Sequence, residues 1–168
     1  MINPDGKHIG YARQKARSIL QEYFAKNPPE RLPVPIKEIA ELYGFEIYEL
    51  KTMSKHQRAI KQDVPSENRK LIGVNASYHR HNQRVSIGHE LGHYFLGHPP
   101  EEDCDDEQIK LFNSEADEFS AELLMPLDML KQKLVELKDV PNVARTFDVS
   151  EQALWIKISG QRLTNLLV

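Results

Sequence analysis

The chain has a single cysteine, Cys104, among its 168 residues. No disulfide can form within it, and this usage suggests a reducing cytoplasm. No apolar run approaches the roughly 18–20 residues that a membrane-spanning helix needs. The opening stretch MINPDGKHIGYARQKA also lacks the apolar centre of a secretory signal. Positive charge is not in excess: 22 Lys and Arg stand against 25 Asp and Glu, for a net charge of −3. That balance argues against nucleic-acid binding driven by bulk charge. Internal repeats and low-complexity tracts are missing as well. What remains is an ordinary globular composition, 40% hydrophobic and 28% charged. The length suits one domain, or one domain with a small appendage.

Periodicity organises the chain. Ile9, Ala12, Ala16, Ile19, Leu20, Tyr23 and Phe24 recur at helical spacing and predict a helix over 8–26, ended by Asn27-Pro28-Pro29. A second helix over 36–43 stops at Gly44. The period then changes, because Phe45 to Leu50 alternates apolar and acidic residues as a half-exposed strand does. Residues 57–62 and 70–75 complete a small, mostly antiparallel three-stranded sheet. Helices return over 82–96, 114–124 and 127–138. Residues 140–168 read as two short helices split near Val149-Ser150, and the acidic run Glu101 to Glu107 as a solvated loop or helix start. The expected fold is α+β and mainly helical, with a core over 1–138 and a C-terminal helical appendage over 139–168 packed on it.

The segment that carries chemistry is His89-Glu90-Leu91-Gly92-His93, an H-E-x-x-H motif inside the helix over 82–96. Histidines four apart share one helical face, so both imidazoles can reach one ion. Neutral imidazole suits zinc, which takes tetrahedral geometry. Glu90 sits about 100° round the helix from His89. It can serve as general base to an activated water without being a ligand. Tyr94, Phe95 and Leu96 read as core.

Zinc needs a third protein ligand if one position is to stay open. A histidine after a glycine turn, as in H-E-x-x-H-x-x-G-x-x-H, does not occur here. Position 96 is Leu, position 99 is Pro, and His98 comes one residue early. The other source is the helix Ser114 to Met125, with acids at 115, 117, 118 and 122 and small Ala116, Ser120 and Ala121 allowing close helix approach.

HELGHYFLGH followed by EADEFSAELLMP resembles the ImmA/IrrE family of metallopeptidases. The likeness extends to Leu32-Pro33-Val34-Pro35-Ile36, to Tyr43-Gly44-Phe45, to Gly73-Val74-Asn75 and to the tail around Phe147-Asp148-Val149-Ser150, so that it covers roughly residues 30–165. It implies a zincin-like fold and a zinc cofactor. His89 and His93 become the metal ligands and Glu90 the catalytic glutamate. It further implies a protein substrate, a helix-turn-helix repressor whose cleavage relieves repression in a phage or mobile element. The family's acidic ligand stands four residues before the last residue of an E-A-N/D triplet, and here that position is Asn113. Glu115 is therefore expected as the third ligand. Asp117 is its rival, or else the residue that orients a ligand histidine.

Two further readings stand beside an endopeptidase. One is a non-catalytic antirepressor that docks on a repressor and frees it from DNA, motivated by Asn113. The other is direct DNA binding by 140–166, whose helix-turn-helix flavour is set against few basic residues: Arg145, Lys157 and Arg162. No direct contact with nucleic acid or membrane is expected, and oligomeric state is not encoded. A substrate held as an added strand is expected along residues 70–75.

Overall fold

A computed structural model describes residues 7–168. The first helix, α1 (Lys7–Lys26), buries the face that its spacing marked out, including Ala12, Ala16, Ile19, Leu20, Tyr23 and Phe24. Asn27 closes it, its side-chain amide donating to the Tyr23 carbonyl at 3.0 Å. Helix α2 (Ile36–Leu42) ends at Tyr43, and Gly44 takes φ +85°, a left-handed conformation that glycine adopts without strain.

Three strands follow: β1 (Phe45–Leu50), β2 (Ala59–Val64) and β3 (Arg69–Asn75). The sheet order is β1-β3-β2. β2 and β3 pair antiparallel, with Ala59 opposite Val74, whereas β1 lies parallel to β3, with Phe45 opposite Lys70. The sheet is therefore mixed rather than mostly antiparallel. Gly73 helps explain where β1 docks. A Cβ there would come within 2.5 Å of Leu50 Cδ1, so the missing side chain makes room for the end of β1 against β3. The arrangement also leaves β3 in the centre, hydrogen-bonded on both sides. It cannot accept a further strand along 70–75, and the free edges belong to β1 and β2.

Helix α3 (Arg80–Leu96) carries the H-E-x-x-H motif and ends on Gly97 at φ +69°. Helix α4 (Asp106–Leu124) begins eight residues earlier than the apolar pattern suggested. A capping box starts it: the Asp105 carboxylate accepts from Gln108 N at 2.8 Å, and the Gln108 side chain accepts from Asp105 N at 2.9 Å. The acidic run thus splits into a 3-10 turn, Glu101–Asp103, and the first turn of α4, where acids complement the helix dipole. Asn113 consequently lies within a helix, on the face it shares with Asp117.

Helices α5 (Leu127–Leu137), α6 (Val140–Phe147) and α7 (Glu151–Gly160) complete the chain. Val143, Phe147, Leu154 and Ile158 belong to the same buried cluster as Leu91, Phe119 and Leu130. Among the described residues no helix is long and apolar enough to cross a membrane.

A buried ion pair ties the helices together. The Glu122 carboxylate, fully buried in α4, accepts from Lys157 Nζ of α7 at 2.5 Å, Arg17 Nε of α1 at 2.8 Å and the Leu127 amide at 3.1 Å. Lys157 is thereby withdrawn from any surface role. Removing one member of a buried pair strands its partner's charge, at a cost of about 3–5 kcal/mol, whereas removing both is far milder. In urea denaturation, Lys157→Met is expected to lose at least about 3 kcal/mol. Most of that loss should return in the Glu122→Leu/Lys157→Met double variant. Equal destabilisation of the two would show that the pair does not behave as a coupled unit.

Candidate metal centre

The site exists because α3 and α4 cross at unusually close range. A Cβ at Gly92 would sit 2.9 Å from Ala116 Cα and 3.0 Å from its carbonyl oxygen, and one at Gly88 would lie 2.3 Å from Ser120 Oγ. Ser120 also donates to the Val85 carbonyl at 2.9 Å, pinning α4 to α3. With backbones in contact, short side chains from α4 can reach the imidazoles of α3.

His89 Nε2 and His93 Nε2 face each other at 3.0 Å, and Asn113 Oδ1 lies 3.2 Å from His93 Nε2. The other ring nitrogens are held from behind. His89 Nδ1 is 2.8 Å from Asp117 Oδ1. His93 Nδ1 is 2.9 Å from His98 Nδ1, and His98 Nε2 is 2.8 Å from Glu115 Oε2. The second oxygen of Glu115 meets His8 Nδ1 of α1 at 3.0 Å.

These partners assign the tautomers. An ionised carboxylate only accepts, so His89 carries its proton on Nδ1 and keeps a lone pair on Nε2. By the same rule His98 is protonated on Nε2. Its free Nδ1 accepts from His93 Nδ1–H, which leaves a lone pair on His93 Nε2. Two nitrogen lone pairs and an amide oxygen therefore converge with no proton among them. A tetrahedral zinc ion with ligands near 2.0–2.1 Å requires donor separations of about 3.3 Å, close to those observed. This donor set fits a cation. Among the described residues no three His, Cys, Asp or Glu side chains group so as to hold a metal, since the third converging atom belongs to an amide.

The electrostatics of His93 suit ligation. Burial, together with the charges of His89 and His98, pushes His93 down to about 4, so its imidazole is neutral at physiological pH. His98 is lowered as well, burial outweighing its bond to Glu115. Burial opposes the charge on His89 too, but the hydrogen bond and charge of Asp117 raise it on balance. Burial lifts Glu90 above the usual carboxylate range against the pull of His89 and Lys61. That is the direction that favours proton uptake by a general base.

Glu90 and His89 line one cleft of about 740 Å3 with Gln57, Arg58, Ala59 and Asn113. Of the residues expected from the sequence, His89 and Glu90 line this cleft, and His93 adjoins His89, Nε2 to Nε2 at 3.0 Å. Glu115 faces His98 and His8 instead and contacts neither His89 nor His93. Its Cα direction explains this: it lies two residues, roughly 200° of helix, round from Asn113. Asp117 touches the far nitrogen of His89. Asn113, which stands where the family has an acid, is the α4 side chain beside His93 Nε2, where Glu115 was expected. His8 and Lys61 escaped sequence reading, because no local pattern links residue 8 to 115 or 61 to 90.

The family model of the IrrE N-terminal-like domain, Peptidase_M78, matches residues 40–159. The chain belongs to the Peptidase_M78 family. It is thus placed in a family of metallopeptidases, and the match runs through both central motifs into α7. No curated protein matches it. Among solved structures, a Mycobacterium tuberculosis transcriptional regulator superposes with a TM-score of 0.61 at 12% identity, over 87% of this chain and 47% of that one. At that identity the likeness concerns the fold, and the chain spans about half the length of the regulator.

The close crossing generates a direct test. A methyl group at Gly92 meets backbone that cannot rotate away, so Gly92→Ala must separate α3 from α4. Overpacking of this kind costs typically about 1–3 kcal/mol. The same shift should carry Asn113 and Asp117 away from the imidazoles, and zinc affinity is expected to fall at least tenfold in the folded variant. Unchanged affinity in a chelator competition would show that helix spacing does not set the site.

Proposed function

We propose that this member of the Peptidase_M78 family is a zinc-dependent endopeptidase whose substrate is a DNA-binding repressor protein. The observation that carries the reading is the pair of lone-pair-bearing Nε2 atoms 3.0 Å apart, one of them on His89, which lines a cleft together with the half-buried carboxylate of Glu90. His89, His93 and Asn113 would hold the ion. When bound, zinc supplies Lewis acidity, lowering the pKa of water to roughly 7 and polarising a peptide carbonyl.

The remaining work falls to the chain itself. Glu90 accepts a proton from the attacking water and returns it to the departing amine, its raised affinity for protons helping the first transfer. Asp117 and His98 keep both imidazoles in the tautomer that presents Nε2. The backbone edge of β2 offers a rail for substrate. The Asn75 amide donates to the Arg58 carbonyl at 2.9 Å, which makes 58 and 75 a hydrogen-bonded pair. Alternation along an antiparallel ladder then turns the amides of Ala59, Lys61 and Asp63 outward. An extended peptide adding to this edge would lie beside the cleft wall that Arg58 and Ala59 form. The rail is β2, not the central strand over 70–75.

The repressor as substrate, and the phage or mobile-element setting, rest on what the family resemblance implies. A second reading, a non-catalytic antirepressor, is favoured by one observation: the neutral amide of Asn113 where an acid would bind metal more tightly. Docking alone needs neither Glu90 nor a tautomer-locked histidine pair, which supports the catalytic reading first.

With zinc and a partner repressor, wild-type protein should produce discrete fragments, and a chelator should stop this reversibly. Glu90→Gln should lower the rate about 10²–10⁴-fold. Release of intact repressor from DNA, at the same rate in both proteins, would sink the peptidase and leave the antirepressor. Lys61→Pro blocks an outward amide without breaking a ladder bond, as edge strands tolerate. It is expected to cut kcat/KM about tenfold in a protein that melts normally, about what one lost hydrogen bond costs; no change would exclude β2 as the rail.

A further inference from the structure

The neutral third donor leaves the converging set, two imidazoles and an amide, without negative charge. Both histidines nevertheless end on a carboxylate. Asp117 takes the proton side of His89 directly, at 2.8 Å. His93 reaches Glu115 through one intervening ring: His93 Nδ1 to His98 Nδ1 at 2.9 Å, then His98 Nε2 to Glu115 Oε2 at 2.8 Å.

This second path is costly to build. Glu115 is 6% exposed and the His98 side chain 4% exposed. Burying a carboxylate is unfavourable unless it is fully hydrogen-bonded. Here both oxygens are occupied, by His98 and by His8 from the first turn of α1. The His98 ring is clamped further by stacking on Phe112, with centroids 4.4 Å apart. For the stacking on Phe112 alone, an apolar ring at 98 would serve as well. What the polar path adds falls on His93, where it fixes the proton on Nδ1 and points electron density toward Nε2.

We propose that Glu115, acting through His98, and Asp117, acting on His89, are positioning residues that supply from outside the ligand shell the negative charge that Asn113 does not. The inference rests on the zinc reading above. Each carboxylate draws on the proton of an imidazole and so makes the opposite nitrogen a stronger donor to a cation, an effect that weighs more when no ligand is itself charged. His8 extends the device to α1, which makes the N-terminal helix a brace for the metal centre as well as a wall of the core.

The test is zinc affinity, read by competition with a chromophoric chelator, alongside the melting temperature of the metal-free protein. Glu115→Gln and Asp117→Asn are each expected to weaken zinc binding 10–100-fold. His98→Phe, which keeps the stacking and breaks the path, should match Glu115→Gln. It covers the case in which the buried Gln disturbs folding. Asn113→Glu puts charge directly on the ion. It should tighten binding and, combined with Glu115→Gln, restore wild-type affinity or better while leaving that variant's metal-free melting temperature unchanged. A merely structural role for Glu115 would not allow such rescue. If wild-type protein binds zinc and the Glu115, His98 and Asp117 variants bind it equally well, the inference is overturned alone. If wild-type protein takes up no zinc, the peptidase reading falls and this one with it.

Discussion

The whole site depends on how near two helices can come. Gly88 and Gly92 on α3 face Ser120 and Ala116 on α4, and the backbones meet where most helix pairs would be held apart by side chains. Interaxial distances follow the residues at the contact. Only at this spacing do Asn113 and Asp117, side chains of two carbons, touch imidazoles on the neighbouring helix. The same contact face, continued along α4, brings Ser120 to the Val85 carbonyl, while the opposite side of α4 turns Glu122 to α1 and α7. Chemistry and core packing therefore share one helix interface, and a change of either helix position alters both.

The sheet contributes by its order. Because β1 joins β3 on the side away from β2, the hairpin strand β2 is left as an edge, and it is this edge that flanks the cleft holding Glu90. A fully antiparallel meander, with β2 central, would have presented a different strand. The sheet order, not the motif, decides which backbone a peptide can meet.

Much of this was legible in the residues. The helix over 8–26 and the strand over 45–50 announced themselves by period. The H-E-x-x-H face follows from helical geometry, and the small residues 116 and 120 already signalled a close partner. Three things were hidden. Sheet order is not contained in strand periodicity. The start of α4 was masked because Asp105 and Gln108 form their capping box inside an acidic run that, by charge, resembles a loop. Which α4 side chains meet the two imidazoles depends on which face of α4 meets α3. Asn113 and Asp117, four apart, share that face; Glu115, between them in sequence, is turned to His98 and His8. Charge drew the reading to Glu115, while helical phase favoured Asn113.

A neutral third donor need not disarm such a centre. Three histidines, also uncharged, suffice in carbonic anhydrase to bring the pKa of zinc-held water near 7. A shell without charge leaves the cation its full Lewis acidity, and what it loses is affinity. Here the converging atoms are weak as a set, while the atoms behind them are unusually strong: a carboxylate on one imidazole and a histidine–carboxylate path on the other. Placing the negative charge one bond further from the ion separates two demands that a direct carboxylate ligand would combine. Retention of a metal bound here would then depend on the outer groups, while its electrophilicity would be set by the inner ones. On that argument Asn113 and Glu115 are two halves of one arrangement, and neither can be interpreted without the other.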